Sequence, residues 1–276
     1  VGHGVLLLGV GTFRIHLTYC SFKTNFYRKE FTLTMHQALT FILACLAVFF
    51  LAACNANNQR LLEEDLTFKM ENGLEIIGTI YRPADIDPPW PGVLLLHMIY
   101  GQRQEWDGLA RALSQNGYAA LAIDLRGHGE TGGEMNWDLA RQDISQVWQA
   151  FTSRQEIKAD STAVIGASMG ANMAVLLGAD QPDVRALVLL SPGLNYYMVQ
   201  TAEPLAAYGD RPVLIIASQE DSYAASSSEE LIKYAQGEAI LEMYAGIGHG
   251  TAMLGNQPDL GSLLLEWLNP ILQSTP

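Results

Sequence analysis

The stretch Thr162-Ala163-Val164-Ile165-Gly166-Ala167-Ser168-Met169-Gly170-Ala171 constrains this chain more than any other. An apolar, β-prone run breaks at Gly-x-Ser-x-Gly and resumes as a helix-forming segment through Leu177. Strand, tight turn and helix, in that order, expose a serine hydroxyl at the head of a sheet. Gly166 and Gly170 leave room for neighbouring backbone where the turn is sharpest, and Ser168 can be held there in a strained conformation. A serine so placed is read as a nucleophile, which needs a base within hydrogen-bond reach and an acid to orient that base.

The flanking sequence supplies the frame for such a turn. Leu66–Met70 and Leu74–Arg82 read as two strands around the hairpin signal Glu71-Asn72-Gly73. Residues 92–97 and 118–123 are short apolar runs of the kind found in strands buried on both faces, and 186–190, 213–217 and 239–244 are three further strand candidates. Between them lie helical patterns over Trp106–Ser114, about Trp137–Thr152, and near 228–236 and 258–268. Strands alternating with helices predict an α/β fold, a doubly wound and mostly parallel sheet covered on both faces. Ligands of such sheets bind beyond the carboxyl ends of the strands, so the first residues after each strand matter most.

Those positions carry the chemistry. Ser218-Gln219-Glu220-Asp221-Ser222 follows one strand, Ala245-Gly246-Ile247-Gly248-His249-Gly250 another, and His97-Met98-Ile99-Tyr100-Gly101 a third. With the loop Asp124-Leu125-Arg126-Gly127-His128-Gly129, they make the chain from about residue 65 onward resemble the α/β-hydrolase superfamily of serine esterases and dienelactone-hydrolase-like enzymes. The resemblance implies a Ser168–His249–Asp221 triad, with His249 as general base and Asp221 fixing its tautomer. Glu220 and the more distant Asp210 compete for the acid's role. The oxyanion donors implied are the N–H of Met169 and that of Ile99, with Met98 as the alternative because it replaces a glycine usual in relatives. His97 and His128 read as loop-shaping residues. Tyr196 and Tyr197 fit the lining of an acyl pocket and ordinary packing equally well. Only about twenty residues separate Ser191 from Pro212, too few for a multi-helix cap, so an open site is expected.

The reaction expected is hydrolysis of a small-molecule carboxylic ester through an acyl-enzyme, without cofactor or metal. A peptidase or amidase of the same fold and a non-catalytic envelope-binding protein are the alternatives. The six histidines are scattered, and the three cysteines (Cys20, Cys45, Cys54) all lie early, which gives no metal-ligand spacing and no disulfide framework. A net charge of −13 without any long basic run argues against nucleic acid and against electrostatic docking on anionic lipid.

Residues 38–53 are uncharged and apolar, short for a membrane span and suited to a signal peptide. They end in Leu51-Ala52-Ala53-Cys54, which resembles the lipobox of bacterial lipoprotein precursors. That resemblance implies a signal peptide over 35–53, a lipidated Cys54 (acyl chains such as palmitate), a polar tether over 54–64 and a hydrolase domain over 65–276. The protein would then sit on the outer side of a bacterial membrane, held by several acyl chains. An uncleaved N-terminal anchor is the competing reading. Residues 1–34, which precede Met35, are given no role.

Overall fold

The computed structural model describes residues 62–273 in full and, ahead of them, the backbone of the strands Leu8–Gly9, Thr12–Tyr19 and Tyr27–Thr34. The chain divides into two compact units, Val1–Gln59 and Arg60–Pro276. In the first, the three strands pair antiparallel in chain order. The segment 35–53 and Cys54 lie outside the described residues.

The second unit is built on one eight-stranded sheet. Its strands are β1 (Leu62–Lys69), β2 (Glu75–Arg82), β3 (Trp90–Leu96), β4 (Ala119–Ile123), β5 (Ile157–Ala167), β6 (Ala186–Leu190), β7 (Val213–Ser218) and β8 (Ala239–Tyr244). They lie in the order β1-β2-β4-β3-β5-β6-β7-β8. From β3 to β8 the neighbours are parallel, while β2 runs antiparallel to both β1 and β4.

The helices are α1 (Asp107–Gln115), α2 (Trp137–Thr152), α3 (Met169–Asp180), α4 (Ala202–Tyr208), α5 (Ser222–Leu231), α6 (Ala252–Asn256) and α7 (Leu260–Leu272). One face of β3 sends Leu94 and Leu96 into a core with Trp148 and Phe151 of α2 and Met173 of α3. The other sends Val93 and Leu95 against Leu109 and Leu113 of α1 and Leu264 and Leu268 of α7. Burial on both faces is why these strands read as unbroken apolar runs rather than alternating ones.

Several elements depart from the sequence expectation, each for a physical reason. β1 starts at Leu62, within the segment read as tether. Its Glu63, Glu64 and Asp65 hide the strand pattern, as charges do on an edge that must not pair further. α5 covers Ser222–Leu231 rather than 228–236. Asp221 caps its N-terminus, and its buried face includes Ser227 and Ser228, which an apolar-periodicity reading passes over. Between β6 and β7 the chain forms a two-residue-stranded hairpin, Asn195–Tyr196 with Val199–Gln200, followed by α4. No large cap domain is present there.

Candidate active site

Ser168 sits between β5 and α3 with φ 51° and ψ −114° and is 4% exposed. A left-handed φ in a non-glycine residue costs on the order of 1–3 kcal/mol and persists only where the surroundings enforce it. Here the Ser168 N–H donates to the Leu190 carbonyl of β6 at 2.7 Å. Its own carbonyl accepts the N–H groups of Ala171 (2.9 Å) and Asn172 (3.2 Å). The two glycines are required by close approach: a Cβ on Gly166 would overlap the Gly170 carbonyl, and one on Gly170 the Leu96 and His97 carbonyls. Met169 opens α3, so its N–H is a first-turn donor without an intrahelical acceptor.

The His249 Nδ1 is hydrogen-bonded to Asp221 Oδ2. Glu220 does different work: its carboxylate accepts the Gly246 N–H at 2.5 Å and the Ser218 hydroxyl at 3.0 Å. The Gly246 N–H bond holds that carboxyl below the usual carboxylate range. Ser218 in turn accepts the Ile247 N–H at 3.2 Å, so Glu220 and Ser218 shape the turn that carries His249. On the far side of His249, the Gly250 N–H donates to the hydroxyl of buried Ser191 at 3.0 Å. A Cβ on Gly250 would meet Ala167 Cβ at 3.7 Å, so the histidine loop lies against the residue preceding Ser168. Thr251 then donates to Glu105 at 2.7 Å.

The loop after β3 is fixed from beneath by His97, which is fully buried. Its Nε2 accepts the Leu125 N–H at 3.0 Å, which places the ring proton on Nδ1, 2.7 Å from the Met98 carbonyl. Burial lowers the His97 pKa to about 4, so the ring is neutral at physiological pH. The Met98 carbonyl also accepts the Gly101 N–H at 3.0 Å. A trans peptide sets N–H opposite C=O, so the N–H of Ile99 is turned away from His97 and out of the loop. The thioether of Met98 lies against Gly250 (a Cβ there would be 2.9 Å from its sulfur), joining this loop to the histidine loop.

The Asp124–Gly129 loop is a structural buttress, as expected for His128. Asp124 is fully buried and ion-paired with Arg103. It also accepts the N–H groups of Arg103 (2.7 Å) and Glu130 (2.9 Å). Arg126 grips Asp143 with two bonds of 2.6 and 2.8 Å. His128 Nδ1 bonds the Arg126 carbonyl at 2.9 Å, and its ring stands between His97 and Trp137 at centroid distances of 5.1 and 5.9 Å.

Ser191, Asn172 and Tyr196 also belong to this site, and sequence reasoning did not assign them. The Tyr196 ring stands edge-on to His249, centroids 6.5 Å apart, and its hydroxyl donates to the Ser191 carbonyl at 3.4 Å. Among the described residues, no group of three or more His, Cys, Asp or Glu is arranged to hold a metal ion.

Comparison with known proteins agrees with this architecture. Residues 88–208 match a hydrolase family model described as serine aminopeptidase, S33. The chain is 30% identical over 162 residues to Esterase FrsA of Yersinia pestis (strain Pestoides F) and of Yersinia pseudotuberculosis, a match covering 56% of this chain. It spans 38% of the length of those curated relatives. Among solved structures, Est1E from Butyrivibrio proteoclasticus with ferulic acid bound has a TM-score of 0.67 at 16% identity, over 76% of this chain and 100% of that one. An acetyl xylan esterase from Paenibacillus sp. R4 has a TM-score of 0.67 at 16% identity, over 78% and 86%. Dienelactone hydrolase from Anabaena variabilis has a TM-score of 0.63 at 18% identity, over 77% and 99%. Taken with the 1-2-4-3-5-6-7-8 strand order and the strained serine at the end of β5, these likenesses show that the chain has the α/β-hydrolase fold.

Proposed function

We propose that the protein is a serine hydrolase that cleaves carboxylic esters through an acyl-enzyme on Ser168. The observation that carries this reading is the His249–Asp221 pair in the loop packed against Ala167, next to a serine held at positive φ. In the proposed reaction His249 Nε2 takes the Ser168 proton as Oγ attacks the ester carbonyl. Met169 N–H and Ile99 N–H receive the oxyanion. His249 then protonates the leaving alkoxide, and a water activated by the same histidine hydrolyses the acyl-enzyme. Asp221 keeps the Nδ1–H tautomer and stabilises the imidazolium between the two transfers. The esterase relatives favour an ester substrate, and the absence of a large cap leaves the site open to a range of acids. Ser168→Ala tests the reading: ester turnover should vanish while the folded protein is retained, and unchanged turnover would refute the nucleophile.

The S33 aminopeptidase description favours a second reading, amide hydrolysis by the same residues. An aminoacyl anilide and an aminoacyl ester of one amino acid separate the two. Comparable kcat/KM on both supports the amidase, and turnover of the ester alone supports the esterase. We further propose that Cys54 carries lipid and tethers the enzyme to a bacterial membrane, on the strength of Leu51-Ala52-Ala53-Cys54 after an uncharged apolar run. Cys54→Ser should then release the protein into the soluble fraction, and continued membrane association would contradict the anchor.

A further inference from the structure

Tyr196 is held in place from three sides, more firmly than a pocket-lining residue requires. Asn172, buried one turn into α3, accepts the Gly193 N–H at 3.0 Å and donates to the Val199 carbonyl at 2.9 Å. The helix that follows the nucleophile therefore clamps both sides of the segment carrying Tyr196. Thr201 donates to the Gly193 carbonyl at 2.8 Å. Tyr223, from α5, accepts the Asn195 N–H at 3.1 Å and donates to the Asn195 carbonyl at 3.0 Å, with its ring 5.4 Å from that of Tyr196. Gly193 must be glycine because a Cβ there would lie 2.6–2.8 Å from the Tyr196 ring.

The hydroxyl at the end of this clamped ring is loosely committed. Its protein acceptor, the Ser191 carbonyl, is 3.4 Å away, well beyond the usual 2.7–2.8 Å for an O–H···O bond. Sheet order fixes the side from which it approaches. β6 flanks β5 on the side opposite β3, so Tyr196 comes from the flank away from Ile99 and on the side of His249. The oxyanion donors occupy one side of the reacting carbon, and the proton returned by His249 reaches the leaving oxygen on the other.

We infer that the Tyr196 hydroxyl is a catalytic hydrogen-bond donor, turning from the Ser191 carbonyl in the free enzyme to the leaving oxygen in the tetrahedral intermediate. This rests on the ester-hydrolase reading above. The bond from Ser168 Oγ to the acyl carbon forms and the bond from that carbon to the leaving oxygen breaks. The serine proton passes through His249 Nε2 to the leaving alkoxide, and Tyr196 donates without giving up its own proton. Burial and the charge of Asp221 raise the phenol well above its ordinary value, which keeps that proton in place.

A donor to the leaving oxygen matters in proportion to the charge that oxygen develops. The test is Tyr196→Phe in the full chain, assayed on the ethyl and 4-nitrophenyl esters of one acid. Both esters form the same acyl-enzyme, so kcat/KM compares acylation alone. The ethyl ester should lose on the order of 10–100-fold and the nitrophenyl ester less than about threefold. No loss on either ester, or an equal loss on both, overturns the proposal. Tyr223→Phe releases the hairpin while leaving Tyr196 intact. It should give the same leaving-group dependence in weaker form, and it decides the matter should Tyr196→Phe not fold; an equal effect on both esters overturns the proposal there too. Fluorophosphonate labelling of wild type separates the two levels. A labelled Ser168 with no leaving-group dependence sinks the role of Tyr196 alone, whereas an unlabelled Ser168 sinks the ester-hydrolase reading and this one with it.

Discussion

Asp221 and Glu220 are adjacent carboxylates with separate tasks. Asp221 bonds the His249 ring, while Glu220 holds the backbone at Gly246. Asp221→Asn should lower kcat by about 10³–10⁴-fold, because the amide favours the wrong histidine tautomer. Glu220→Gln keeps an acceptor for the Gly246 N–H and should lower kcat less than about tenfold. Steady-state assays of the two variants at one pH check this, and equal losses would contradict the division. From sequence, Asp221 was favoured over Glu220 only by its position after β7, and the hydrogen bonds supply the physical difference between them.

His97 makes a second prediction at the residue scale. Its pKa is about 4 in the folded protein and near 6.5 when unfolded. Between those values the unfolded chain binds the extra proton, so stability falls as pH drops from 6.5 toward 4. The full effect of His97 is about 3 kcal/mol. Urea titrations at pH 7.5 and 5 should show a loss that is smaller in His97→Gln. An identical loss in the variant would contradict the neutral buried ring.

At the scale of elements, the strand–turn–helix around Ser168 depends on backbone-to-backbone approach. Gly170→Ala would drive a methyl group into the Leu96 and His97 carbonyls, pushing α3 off β3. That should cost at least about 1–3 kcal/mol and reduce turnover through displacement of Met169 N–H, with a lower thermal midpoint as the readout. An unchanged midpoint would contradict the close approach. Asn172→Ala leaves the buried Gly193 N–H without its acceptor and removes a donor from the Val199 carbonyl, and should cost a comparable amount.

The elements legible in the sequence were those whose burial is uniform. β4 and β6 are fully buried five-residue strands, and they read as apolar runs without ambiguity. α5 and the Asn195–Gln200 hairpin were not legible. Serines fill part of the buried face of α5, and the hairpin is held by Asn172 and Tyr223, which lie 20 or more residues away in sequence. Ser191 escaped notice for the same reason, since its hydroxyl acquires a role only when Gly250 arrives from 59 residues further on. Motif spacing locates residues that touch substrate. Residues that hold those residues are defined by tertiary contacts, and a single sequence does not record them.

At the scale of the whole molecule, the site is a meeting of loops from the ends of β3, β5, β6, β7 and β8, joined by Ser191, Glu105 and Met98. The buried Arg103–Asp124 pair steadies the loop after β4 beneath them. Its role is to fix that loop, since a buried ion pair adds little net stability over an apolar replacement, but breaking one partner costs about 3–5 kcal/mol. The central claim is that all this geometry serves one activated serine. The most direct measurement is reaction of the full chain with a fluorophosphonate probe, followed by peptide mapping. The account predicts one stoichiometric adduct on Ser168, abolished in Ser168→Ala and strongly slowed in His249→Ala. A folded protein that acquires no adduct, or one labelled at another serine, would contradict it.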